Sequence, residues 1–189
     1  AFDLFHQPGS GQLENTFEHK TLANTPHHYQ CVQTPVECSL LVATMMRQKS
    51  VCFDTETTGL DAINASLVGI AFSWQAGTGY YVPISEDEAQ RNETLKDLAP
   101  FFANETIEKV GQNLKYDIKV MHQHGIAVKG PLFDTMLAHY IINPDMRHNM
   151  DILAETYLNY RPKPISDLIG KKGKNQGSMR DVPLDQQTE

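Results

Sequence analysis

The chain has 189 residues, 40% of them hydrophobic, and a net charge of −7. That is enough apolar material for one domain with a buried core. No stretch nears the ~18 consecutive apolar residues of a membrane span, and AFDLFHQPGSGQLENTFEHK lacks the basic start and apolar run of a signal peptide. Cys31, Cys38 and Cys52 form no C-x-x-C pair, which argues against a disulfide framework or zinc knuckle and suits reduced thiols in the cytoplasm. The acidic balance predicts a weak grip on nucleic acid by this chain alone, although a nuclease with acidic metal ligands can carry such a charge.

Residues 1–28 are polar, with Pro8, Gly9, Gly11 and Pro26, and read as a linker or extended arm; residues 29–189 read as the domain. Tyr29–Gln33 predicts a short strand. Pro35 suits a helix start, and Leu40, Leu41, Met45 and Met46 give Val36–Gln48 helical spacing. Ser50–Glu56, Leu67–Trp74 and Tyr80–Ile84 predict three strands joined by short loops, an antiparallel meander. Asn92–Ala103 predicts a helix capped by Asn92, Lys109–Gln112 a fifth strand, and Asn113–Gln123 a helix ending at Gly125. Phe133–Ile142 predicts a helix with Asp134 as its cap, and Met150–Asn159 another. From Arg161 the chain is polar and glycine-rich and reads as a long loop. Five strands mixed with helices predict an α/β sandwich.

Asp54 and Glu56 in Phe53-Asp54-Thr55-Glu56-Thr57-Thr58-Gly59-Leu60 are two apart on a strand and project from one face. Side by side they repel, and divalent cations relieve that; hard oxygen ligands suit magnesium or manganese. Taken alone, the pair reads more simply as the exposed end of an edge strand. In Gly111-Gln112-Asn113-Leu114-Lys115-Tyr116-Asp117, Asn113 and Asp117 are four apart and share a helix face. Alone, these read as a helix cap and a surface acid. The pairs His27-His28 and His122/His124 lack a cysteine or H-E-x-x-H partner, and Asp134 and Asp151 read as structural.

Taken together, FDTETTGL and GQNLKYD resemble the first and second motifs of the DEDD exonucleases. LFDTMLAHYIINP, RHNMDILAETYL and IGKKGKNQ resemble the connecting segments of the bacterial DNA polymerase I proofreading domain, so the resemblance covers roughly residues 28–189. It implies a ribonuclease-H-like fold, a five-stranded mixed sheet flanked by helices, and two divalent cations, Mg2+ or Mn2+, clamping an in-line phosphoryl transfer. By resemblance Asp54 bridges both metals, Glu56 binds the one that activates water, and Asp117 holds the other. Thr57, Leu60 and Asn113 are implied contacts to the 3′ nucleotide, and Lys115, Tyr116 and Arg147 to phosphate. Leu60 reads equally as core and Tyr116 as packing. The run Lys171-Lys172-Gly173-Lys174 reads as a solvated loop before a DNA contact.

The family's third motif, Tyr-x-x-x-Asp, does not occur in these 189 residues. Tyr140, Tyr157 and Tyr160 are followed four residues later by Pro144, Arg161 and Pro164, and His-x-x-x-x-Asp is absent too. The reading is a proofreading domain cut before that motif and impaired in isolation. It would be a monomer that takes a single-stranded DNA 3′ end, with a polymerase domain in the same natural chain and no membrane partner. The alternatives are a stand-alone DEDD ribonuclease and a non-catalytic DNA-holding scaffold.

Overall fold

The computed structural model describes residues 18–171, 173 and 176–189. Its sheet has six strands, β1 (His28–Cys31), β2 (Ser50–Thr57), β3 (Leu67–Ser73), β4 (Thr78–Pro83), β5 (Glu108–Gly111) and β6 (Leu132–Asp134), in the order β1-β4-β3-β2-β5-β6. The β2-β3-β4 meander is antiparallel as expected, and β1, β5 and β6 join it in parallel. The expectation of five strands is corrected by β6, which takes the first residues of the segment read as the helix Phe133–Ile142. The helix itself, α4, starts at Thr135; it follows α1 (Pro35–Met45), α2 (Glu88–Ala103) and α3 (Leu114–Gln123), and α5 is Met150–Leu158.

Alternation along β2 separates two surfaces. Val51 and Phe53 are buried in the core with Ile70 and Phe72 of β3, while Cys52, Asp54 and Glu56 take the intervening positions. Helices α1, α2 and α3 close the core with Leu41, Met45, Leu98, Phe102, Val120 and Met121. Phe53 meets Phe102 edge-on with ring centroids 5.2 Å apart, a favoured aromatic arrangement. Lys109 is fully buried, its ammonium donating to the Asn104 carbonyl and lying 5.3 Å from the Phe101 ring centroid.

The starts of the helices follow their capping chemistry. Thr34 Oγ1 accepts from Glu37 N at 3.2 Å, and the Glu37 carboxylate accepts from Thr34 N at 2.9 Å, with Pro35 between them. Helix α2 begins at Glu88 with Asp87 as its cap, accepting from Gln90 N at 2.9 Å, which corrects the expected start at Asn92. The long loop expected after Arg161 is also corrected. Two five-residue helices, α6 (Ile165–Ile169) and α7 (Leu184–Thr188), and a 3-10 turn, Met179–Asp181, fold that segment back on the sheet. Lys171 is exposed, whereas Lys172 and Lys174 lie outside the described residues. Of the polar arm, 1–17 also lie outside them; Lys20 pairs with the far end of the domain, its N–H donating to Asn159 O at 2.8 Å.

One carboxylate caps two helices. Asp134 accepts from Asn113 N at 3.0 Å and Leu114 N at 2.9 Å at the start of α3, and from Met136 N at 2.9 Å and Leu137 N at 3.3 Å at the start of α4. The cap predicted for α4 is therefore correct, and it serves α3 as well. Asp134→Ala leaves four amide donors short of a partner, so an expected loss of about 3 kcal/mol follows from ~1 kcal/mol per lost cap interaction, discounted for water. Urea unfolding with an unchanged m-value measures it; a loss under about 1 kcal/mol would show that solvent replaces the carboxylate freely.

Candidate active site

β5 pairs with β2 only along Ser50–Cys52 and stops at Gly111. Past that point one edge of β2 has no strand beside it, and α3 delivers Asp117 there instead. Asp117 Oδ1 accepts from Thr55 N at 2.9 Å and from Thr55 Oγ1 at 2.6 Å, so it takes the place of a ladder carbonyl. The close passage needs a glycine: a Cβ on Gly111 would stand 3.0 Å from Phe53 O and 2.5 Å from Leu114 Cδ2. Asp117 is 2% exposed, on the buried face of α3 with Leu114, Val120 and Met121. Beside it, β2 shifts register between Glu56 and Thr57, an irregularity of the kind found where a strand re-aims its side chains.

Asp54, Glu56 and Asp117 line one cleft of about 690 Å³, room for a small ligand. The electrostatics tie them together. Burial, then the charges of Asp117 and Glu56, push the Asp54 carboxyl up to about 7. Glu56 is raised by burial and by Asp117, and Asp117 by burial against the lowering effect of its Thr55 bonds. Such a set favours protons or cations. Among the described residues no three His, Cys, Asp or Glu side chains are gathered tightly enough to enclose one ion as they stand. The donor chemistry nevertheless fits divalent cations: three carboxylates of hard oxygen, one with a fixed oxygen and a free one, and a net charge that burial penalises.

Of the other predicted residues, Thr57, Leu60, Asn113 and Tyr116 line the cleft, and Lys115 and Arg147 are exposed outside its lining. Leu60 is 89% exposed, which corrects its reading as core. The hydroxyls of Thr57 and Tyr116 lie 2.5 Å apart and both reach the Gly59 carbonyl, at 2.8 and 2.6 Å, which fixes the loop that presents Leu60. Tyr116 also packs partly on the core, as its packing reading expected. Asn113 holds the N-cap position of α3, as read, in a left-handed conformation, φ 64°, but its side chain makes no cap hydrogen bond, which leaves the side-chain amide free at the cleft.

Sequence reasoning missed three contributors. Thr55 anchors Asp117. Gln112 lines the cleft, held from both ends by Thr135 Oγ1 and by the His148 carbonyl at 2.5 Å. Ile169, Gly170 and Gln176–Met179 form a wall. Thr55 and Gln112 lay in the two quoted motifs without being singled out, and Ile169, Gly170 and Gln176 lay in the quoted segment IGKKGKNQ; the wall is aperiodic and gives no local signal of its place.

The sequence profile of the 3′-5′ exonuclease family matches residues 29–189. The chain belongs to this 3′-5′ exonuclease family. Over 151 residues, 77% of this chain, the exonuclease domain is 37% identical to DNA polymerase I of Chloroflexus aurantiacus. Over 146 residues, 76% of this chain, it is 32% identical to DNA polymerase I of Borreliella burgdorferi. It spans about 16% of the length of each. The fold is similar to that of Brucella melitensis NrnC with bound Mg2+, with a TM-score of 0.59 and 18% identity, covering 72% of this chain and 64% of that one. The exonuclease domain thus has the ribonuclease-H-like architecture, with one strand more than expected. No helix among its described residues is long and apolar enough to cross a membrane.

Proposed function

We propose that this domain removes nucleotides one at a time from the 3′ end of single-stranded DNA, as the proofreading module of a bacterial DNA polymerase I. The observation that carries the reading is the meeting of Asp54 and Glu56 on β2 with Asp117 on α3 in one cleft. Asp54, Glu56 and Asp117 would hold two divalent cations, Mg2+ or Mn2+, which when bound supply Lewis acidity at the phosphate and a strong nucleophile at neutral pH. The chain's own residues do the positioning. Thr55 keeps Asp117 oriented, the Thr57–Tyr116–Gly59 network holds Leu60 at the rim, and the free Asn113 amide faces the cleft. Lys115 and Arg147, exposed outside the lining, suit contacts to phosphates further along the strand. The module acts as a monomer in the cytoplasm, beside a polymerase domain of the same natural chain. Identity of 32–37% to DNA polymerase I, against 18% to NrnC, supports this over a stand-alone ribonuclease. A 5′-labelled oligodeoxynucleotide incubated with Mg2+ and this chain should shorten slowly and stepwise from its 3′ end, and rapidly with an exonuclease domain that also carries Tyr-x-x-x-Asp. Internal cuts, or preference for the RNA version, would overturn the assignment.

Metal binding has a pH signature. Cations compete with protons for carboxyls whose affinity for protons is raised, Asp54 up to about 7. At pH 8, Mn2+ at about 100 times its Kd should raise the Tm by roughly 5–10 °C. At pH 5.5 the same concentration should raise it by under about 2 °C. Differential scanning fluorimetry reads both, and an equal shift at the two pH values would show that the ion binds elsewhere.

A further inference from the structure

We infer that Arg180 is a positioning residue, a latch that holds the wall of the acidic cleft against the sheet. The inference rests on the nuclease reading above and extends it to a residue outside both sequence motifs. Arg180 lies in the 3-10 turn Met179–Asp181, directly after the wall residues Gln176–Met179. Its guanidinium donates through Nη1 to Ile84 O at 2.6 Å and through Nη2 to Leu67 O at 2.7 Å. Leu67 opens β3 opposite Thr57 of β2, and Ile84 follows β4, so one planar fork joins the turn to the start of β3, which pairs with the acid-bearing β2, and to the end of β4 beyond it.

The surrounding contacts show a seated latch. Met179 and Val182 are buried on Val68, with Leu168 and Ile169 against them. Ser178 and Asp181 close the turn, Ser178 Oγ accepting from Arg180 N at 3.2 Å and Asp181 accepting from Ser178 N at 3.2 Å. Gly177 N donates to Ile169 O at 2.7 Å, which ties the two parts of the wall together. Arg180 Nε is buried with no hydrogen bond, and Glu86, the nearest carboxylate at 3.6 Å, is itself largely exposed. The guanidinium is therefore hydrogen-bonded to two backbone carbonyls, with only a loose ion pair to the exposed Glu86. Without it, both carbonyls lose this donor, and the wall is left to the apolar packing of Met179 and Val182 on Val68 and to the Val182–Gln187–Tyr81 hydrogen bonds. The acids on β2 and α3 do not depend on the latch, so its loss changes the shape of the cleft and leaves the carboxylates in place.

The test uses the whole chain and two probes, Mn2+ alone and a deoxynucleoside 5′-monophosphate in the presence of Mn2+, titrated calorimetrically at a temperature where every variant is folded. Arg180→Met is expected to weaken the nucleotide about 10-fold, because small misplacements of a binding wall are amplified in affinity, and to leave Mn2+ affinity unchanged. Arg180→Lys, which keeps the charge and offers a single point donor, is expected to fall between. In Arg180→Lys the Gly177 amide should exchange with deuterium about 10-fold faster while the β5 amide of Val110 does not change. Nucleotide affinity equal to the wild type in Arg180→Met, or a parallel loss of Mn2+ affinity, would overturn the latch alone. A wild-type chain that takes Mn2+ but no nucleotide would overturn the nuclease reading and the latch with it.

Discussion

Hydrolysis of a labelled single strand by these 189 residues is expected to run at least ~10³-fold slower than by a 3′-5′ exonuclease domain that also carries Tyr-x-x-x-Asp. Asp54→Ala is expected to remove what remains. The cleft supplies three carboxylates, one of them fixed on Thr55 by two hydrogen bonds. Three acids carry charge enough for one divalent cation but leave a second underliganded, and among the described residues no further His, Cys, Asp or Glu completes a cluster. A net charge of −7 adds a general repulsion for the DNA strand. The assay is a time course with Mg2+ on gels, comparing this chain, Asp54→Ala and a domain that contains the third motif. Turnover by this chain within ~10-fold of the complete domain would show that the third motif is dispensable.

Asp54→Asn is expected to stabilise the metal-free protein at pH 8 while abolishing its response to Mn2+. The Asp54 carboxyl is raised from 3.8 to about 7, chiefly by burial. A folded-state value above the unfolded one means that the protonated form is favoured by folding. Stability from this group is therefore complete below about pH 4 and is lost as pH rises through about 7. The charged form costs ~4 kcal/mol at high pH by this measure. The replacing amide must itself be desolvated, and Glu56 and Asp117 share the repulsion, so the net gain is about 2 kcal/mol, or roughly 4–8 °C in Tm. At pH 4 the two proteins should melt together. A metal-free Asp54→Asn variant that melts below the wild type at pH 8 would show that the carboxylate has a stabilising partner.

The strands of the meander were legible because β2 alternates Val51, Phe53 and Thr55 with its other residues, while β3 and β4 are short runs rich in apolar and aromatic residues bounded by turns. β6 was not, since three residues running straight into α4 carry less than two periods of any pattern. The first turn of α2, Glu88–Arg91, has Ala89 as its one apolar residue, so the helix reads as starting at Asn92, a residue type that caps helices and lies just ahead of the apolar face at Leu95 and Leu98. Asp54 and Glu56 were legible as a pair because a strand fixes their common face. Asp117 was legible as a residue, but its docking on Thr55 depends on where β5 stops relative to β2, a tertiary property no local window contains. The cleft wall was not legible for a similar reason: α6 is only five residues long, and it and the turn around Arg180 are held by contacts with each other and with the sheet.

The double cap at Asp134 has a bearing on how the domain opens. Both α3 and α4 begin on the same carboxylate, and β6, which carries it, pairs with β5 through Gly111 and Asp134. Fraying of either helix start frees the side chain from the other, so the two cannot melt as independent segments. The helices and the β5–β6 edge should form a single cooperative unit, with amides of α3 and α4 sharing one opening free energy in native-state exchange. Because Asp117 rides on α3, every such opening also withdraws one acid from the cleft. The lifetime of the assembled site is then set by a carboxylate that is not part of it.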